Sequence, residues 1–98
     1  MVPPDQPVIR EVAIRNTHGL HARPVMKFVD LAQTFTADIV VQTTKNSATR
    51  VDGKSAMEMM LLGANCGTIL RITAAGADAA KAADALVELV NNRFGTET

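Results

Sequence analysis

The segment TILRITAAGADAAKAADALVELVNNR, residues Thr68 to Arg93, holds a strand, a turn and a helix, and these decide the fold class. Leu70 and Ile72 share one face of a predicted strand over Thr68 to Thr73, the period-two spacing of a half-buried sheet. Gly76-Ala77-Asp78 then reads as a turn ending in a helix N-cap, and the spacing predicts a helix over Ala79 to Arg93. Ala79, Ala82 or Ala83, Leu86, Val90 and Phe94 recur at the helical interval of a core-facing stripe.

Moving toward the N-terminus, Gly53-Lys54-Ser55 opens a short helical stretch, Ala56 to Leu62, closed by Gly63. Strands are predicted over Ala37 to Gln42, with Ile39 and Val41 on one face, and over Ala48 to Asp52. The polar turn Thr43 to Ser47 joins them. Val25, Phe28, Val29 and Ala32 set a helix over Ala22 to Gln33, in whose first turn Pro24 is harmless, and Phe28 reads as core. Asn16-Thr17-His18-Gly19 is a loop, preceded by a strand over Val8 to Arg15. The order β-α-β-β-α-β-α predicts an α+β fold. It is a two-layer open-faced sandwich, with a four-stranded antiparallel sheet covered on one face by helices. Residues 8–94 are read as one domain, with a loose tail at residues 1–7 and another at 95–98.

Composition narrows the function classes. Ten Lys and Arg balance ten Asp and Glu with no basic run, and only Phe28, Phe35 and Phe94 are aromatic. Both features argue against nucleic acid, which needs clustered cations or stacking platforms. Cys66 is the only cysteine, which excludes an internal disulfide framework and a Cys-rich zinc site. Met1 to Pro7 is polar and Pro-rich and so is not read as a signal peptide; no apolar run approaches the roughly 20 residues of a membrane helix. A cytoplasmic monomer without membrane insertion is the expectation.

The chemistry concentrates in Gly19-Leu20-His21-Ala22-Arg23-Pro24. This places His21 at the start of a helix, where unpaired N–H groups and the positive dipole end favour an anion. Histidine is largely neutral near pH 7, so a ring nitrogen is available as a nucleophile. Arg23 adds a fixed charge and a forked donor set. An exposed turn histidine is the plainer alternative. Met57, Met59 and Met60 divide between core and an adaptable surface beside His21.

The segment at 19–24 resembles the active-site signature of the HPr family, phosphocarriers of the phosphoenolpyruvate-dependent phosphotransferase system. A second segment is similar to that family's regulatory-serine region: Lys54-Ser55 followed by Met57, Met59, Met60, Leu61, Leu62 and Gly63. The resemblance runs from about Val8 to Asn92. It implies that His21 carries a phosphoryl group on Nδ1, that Arg23 neutralises it and that Pro24 shapes the helix start. It further implies that Ser55, next to Lys54, is modified by an HPr kinase/phosphorylase. A helix N-terminus at Ser55 would tolerate the added charge, and a plain N-cap serine is the alternative. Leu20, Ala22, Met26, Met57 and Met60 are the expected docking surface for enzyme I and enzyme II A domains. No cofactor is implied. Against the family pattern, the hairpin around Thr44 to Ala48 is longer, Val25 and Met26 are bulkier, and Asp30 and Glu58 are acidic.

Three other readings stand beside the carrier. A regulatory HPr paralogue, nitrogen-type or kinase-only, would keep His21 and Ser55 yet feed no sugar permease. A small phosphatase would need a phosphate loop, and no Gly-rich one occurs. Metal binding by His18 and His21 lacks nearby carboxylates or thiols in sequence.

Overall fold

In a computed structural model that describes residues 6–46 and 49–95, the elements alternate in the expected order. They are β1 (Val8–Ala13), α1 (Ala22–Ala32), β2 (Asp38–Thr43), β3 (Val51–Asp52), α2 (Ala56–Met60), β4 (Ile69–Ala75) and α3 (Ala79–Asn91). The strands form one four-stranded sheet in the order β1-β4-β2-β3, and every neighbouring pair is antiparallel.

Register sorts the side chains. Val12 lies opposite Leu70, and Val41 opposite Ile72, all buried toward the helices. One residue along, Glu11 faces Arg71 on the open side, where their ion pair closes at 2.8 Å. Such a solvated pair contributes between about 0 and 1 kcal/mol and mainly supports the register. Helices cover the other side with Val25, Phe28, Val29 and Ala32 from α1 and Ala82, Ala83, Leu86 and Val90 from α3. Met59 of α2 is fully buried among them.

Boundaries shift where tertiary packing overrides local preference. β4 runs to Ala75, two residues past the expected end, because Ala74 pairs with both Val8 and Ile39. β1 stops at Ala13, before the expected Arg15, although the Ile14 N–H still reaches the Thr68 carbonyl at 2.9 Å. β3 shrinks to two residues, since only Val51 and Asp52 pair with β2. The expected start at Ala48, like Ser47 of the longer hairpin, lies outside the described residues. α2 ends at Met60, where Leu61 serves as its C-cap.

Asp78 departs from its expected role. It occupies the N-cap position of α3, but its side chain makes no cap bond to that helix. Its carboxylate instead accepts the backbone N–H of Thr36 at 2.9 Å and of Ala37 at 2.8 Å. The α1–β2 turn is thereby tied to the start of α3. The Thr36 N–H first, and the Ala37 N–H with it, hold the carboxyl below its ordinary 3.8 against an opposing effect of burial.

At the far end of α3 the chain reverses through successive left-handed residues, Arg93 (φ 54°), Phe94 (φ 56°) and Gly95 (φ 73°). The conformation costs roughly 1–2 kcal/mol for each non-glycine residue. It is offset by complete burial of the Phe94 ring and by Lys27 Nζ, which donates to the Phe94 carbonyl at 2.9 Å. Among the described residues no helix is long and apolar enough to cross a membrane.

Asp78→Ala is expected to lower the thermal midpoint near neutral pH. A depressed carboxylate stabilises the fold above its unfolded pKa and loses that contribution as pH falls through the folded one. The difference between variant and parent therefore narrows on acidification, which melts from about pH 7 down to about pH 3 will show.

Candidate functional site

The β1–α1 loop is built from backbone contacts. The Gly67 N–H donates to the Ile14 carbonyl at 2.8 Å and the Leu20 N–H to the Ala64 carbonyl at 2.9 Å, so segment 63–68 lies against the loop. Asn16 is fully buried, and its Nδ2 donates to the Gly19 carbonyl at 2.7 Å while the Gly19 N–H returns to the Asn16 carbonyl at 3.2 Å. Gly19 has φ +67°, and a Cβ there would stand 2.5 Å from the Ala64 carbonyl oxygen. Conformation and space both require glycine at this position. The loop reading alone did not single out Asn16; an Asn three residues before a Gly is the available signal.

Leu20, expected on the docking surface, is instead buried in the core. Its burial turns the next residue outward. His21 sits at the N-cap of α1 in an extended conformation, its ring making no cap bond. The His21 carbonyl accepts the Val25 N–H at 3.0 Å, and its own N–H donates to Gly19 at 3.1 Å. The N–H groups of Ala22 and Arg23 have no hydrogen bond to any described residue, and Pro24 carries none. An eleven-residue helix thus presents unpaired donors beside an exposed imidazole, with no acidic residue in its first turn. At an exposed site that dipole end favours an anion by about 0.3–1 kcal/mol. Arg23 is exposed on the same turn, and Pro24 is buried beneath it.

Next to this corner lies an apolar groove between α1 and α2, lined by Ala22, Val25, Met26, Ala56, Met57 and Met60. Met57 is 80% exposed, Met26 48% and Met60 45%, whereas Met59 turns into the core. Leu61, not among the expected docking residues, is 71% exposed.

Ser55 caps α2, its Oγ accepting the Glu58 N–H at 3.2 Å. Glu58 Oε1 accepts the Asp52 N–H at 3.1 Å, which brings a carboxylate back toward the same turn. Lys54 is held elsewhere: its Nζ donates to the Phe35 carbonyl at 2.8 Å, and its own carbonyl accepts Gln33 Nε2. Expected electrostatic tolerance of a phosphate at Ser55 is not what this turn provides. α2 has only five residues, and the acidic neighbours are Asp52 and Glu58.

His18 and His21 stand edge to face with ring centroids 6.1 Å apart. Among the described residues, no three His, Cys, Asp or Glu side chains gather as a metal ion would require.

Comparison with known proteins points one way. A family model described as the PTS HPr component phosphorylation site matches residues 8–92. The phosphocarrier protein HPr of Pseudomonas aeruginosa is 44% identical over 84 residues, covering 86% of this chain and 91% of that protein. That of Neisseria meningitidis serogroup A is 43% identical over 86 residues, covering 88% and 93%. Among solved structures, HPr-C-His from Thermoanaerobacter tengcongensis superposes with a TM-score of 0.85 at 36% identity, covering 93% of this chain and 99% of that one.

Gly19→Ala is expected to cost at least about 1–2 kcal/mol from backbone conformation alone. Denaturant unfolding will register that loss, and amide shifts of Leu20 and His21 will register displacement of the loop from Ala64.

Proposed function

Since this chain belongs to the HPr family of phosphocarriers, we propose that it accepts a phosphoryl group on His21 from enzyme I and passes it to enzyme II A domains in sugar uptake. One observation carries the assignment of the site: His21 stands exposed at the N-cap of α1 beside the unengaged N–H groups of Ala22 and Arg23. Those donors suit phosphoryl oxygens, and the Arg23 guanidinium supplies the countercharge.

In the transfer, the N–P bond to the donor histidine breaks while a lone pair on His21 Nδ1 forms the new one. The bonding pair of the old bond stays on the donor ring, and no net proton is consumed. The chain contributes position and charge to this step, the usual protein share in phosphoryl transfer. The groove of Ala22, Met26, Met57 and Met60 is the docking surface in this reading, its flexible thioethers fitting several partners in turn. Leu20 acts from below by fixing the loop. The chain works as a cytoplasmic monomer, a substrate of other enzymes rather than a catalyst.

Ser55 enters as a regulatory site through its cap. A phosphate placed on Oγ by an HPr kinase/phosphorylase would remove the bond from the Glu58 N–H and set like charges side by side. It would loosen α2 and so reshape the groove.

Incubation with phosphoenolpyruvate and a catalytic amount of enzyme I is expected to give acid-labile label that His21→Ala abolishes. Arg23→Ala should slow labelling by roughly 100–1,000-fold, the usual range for removing one stabilising donor. Parallel runs with sugar-type and nitrogen-type enzyme I identify the pathway served. Equal failure with both donors rules the carrier role out.

Met57→Lys is expected to raise KM for enzyme I while leaving the folded structure intact, because Met57 is largely solvent-exposed. Steady-state transfer kinetics with circular dichroism as the folding control check both halves.

A further inference from the structure

We propose that His18 is a positioning residue for the group carried on His21: protonated, it donates an N–H to a phosphoryl oxygen there and ties the stability of the carried group to pH. The inference rests on the carrier reading above. Its basis is a juxtaposition of two imidazoles and, among the described residues, the lack of a carboxylate on the segments that bracket them.

The two rings lie 6.1 Å apart and nearly perpendicular, with an interplanar angle of 82°. A phosphoryl group on a His21 nitrogen extends beyond the ring, and a centroid separation of 6.1 Å leaves the neighbouring imidazole within its reach. Both side chains are exposed, but their backbones are not loose. His18 and Gly19 are bracketed by the Asn16 Nδ2 bond to the Gly19 carbonyl and by the Leu20 bond to Ala64. The pair is therefore held by the same loop that sets His21 at the helix start.

The charged groups on the loop and on the first turns of α1 are cationic. The loop itself brings Arg15, and α1 brings Arg23 and Lys27, with no acidic side chain until Asp30. Segment 63–68 brings only Cys66. From α2, Glu58 is engaged with the Asp52 N–H at 3.1 Å. Arg15 also shares a polar cleft with Asn91, Asn92 and Arg93 beyond α3. With no carboxylate on the loop, the first turn of α1 or segment 63–68, the carried dianion is the natural partner for a proton on His18.

Imidazoles as a class change charge between about pH 5 and 8, and a contact that needs a protonated ring is sensitive to pH. By linkage, a proton on His18 that favours the phosphorylated state is itself held more tightly once His21 is phosphorylated. The support that His18 gives the carried group is then greatest at the acidic end of the range and is lost as pH rises.

The experiment uses the intact chain with phosphoenolpyruvate, pyruvate and catalytic enzyme I. The equilibrium fraction phosphorylated on His21 is measured from about pH 5.5 to about pH 8 for wild type, His18→Gln and His18→Arg. At the acidic end the wild-type equilibrium constant is expected to exceed that of His18→Gln by roughly three- to tenfold, converging at the alkaline end. His18→Arg should retain the wild-type advantage at every pH. In parallel, NMR at the acidic end of the range should show the His18 ring nitrogen signals moving when His21 is phosphorylated. Label on His21 with a pH-independent ratio and unmoved His18 signals overturns the role of His18 while leaving the carrier reading standing. No label on wild type, or label on His18 in place of His21, overturns both.

Discussion

Everything in the sheet is referred to β4. It pairs with β1 along one edge and β2 along the other, while β3 attaches only to β2. A slip of one residue in β4 would turn Leu70, Ile72 and Ala74 to solvent and bring Ile69, Arg71 and Thr73 against the helices. The arrangement is protected by burial on one face and by the Glu11–Arg71 pair on the other, of which burial is by far the larger contribution. Segment 63–68 leads directly into this strand, so the register of β4 also sets where Ala64 and Gly67 meet the β1–α1 loop.

The site inherits its precision from that chain of contacts. Ala64 fixes Leu20, Leu20 anchors in the core, and His21 is left at the mouth of α1 with donors unspent beside it. Little of this involves charge. The electrostatic features, Arg23 and the helix end, act on whatever arrives, whereas the placement of the imidazole comes from van der Waals contact and backbone hydrogen bonding. The methionine groove is separate in chemistry but adjacent in space, sharing Ala22 of the same first turn.

Much of this was legible from residue spacing. The α1 and α3 stripes match the buried faces because period 3.6 maps directly onto one side of a helix, and Phe28 is core as read. The glycine at residue 19 and the histidine after it could be placed at a helix start because a turn and Pro24 punctuate the chain there. What failed to show were features decided by distant partners. Leu20 looks like surface beside its neighbours, and only the contact with Ala64 puts it inside. Asp78 has the right position for a cap, yet two N–H groups about forty residues earlier compete better for its carboxylate. Ala74 and Ala75 are poor strand formers, Ala74 recruited by Val8 and Ile39 on its two sides and Ala75 by Asp38 on one. Asn16 is invisible as a core residue because its burial follows from the hydrogen bond it makes inside the turn.

The pairing of Val8 with Ala74 has a kinetic side. Joining β1 to β4 closes a loop of more than fifty residues, and contacts so distant in sequence slow the search for the native state. Local helices and the β2–β3 hairpin need no such closure. The geometry around His21 needs the segment ahead of β4 to have met the segment after β1, so it depends on this long-range closure and not on the local helices alone. A chain that has collapsed without completing that closure has its helices but no ordered imidazole. With His21 as the proposed acceptor, uptake of a phosphoryl group would be restricted to molecules in which this closure is complete.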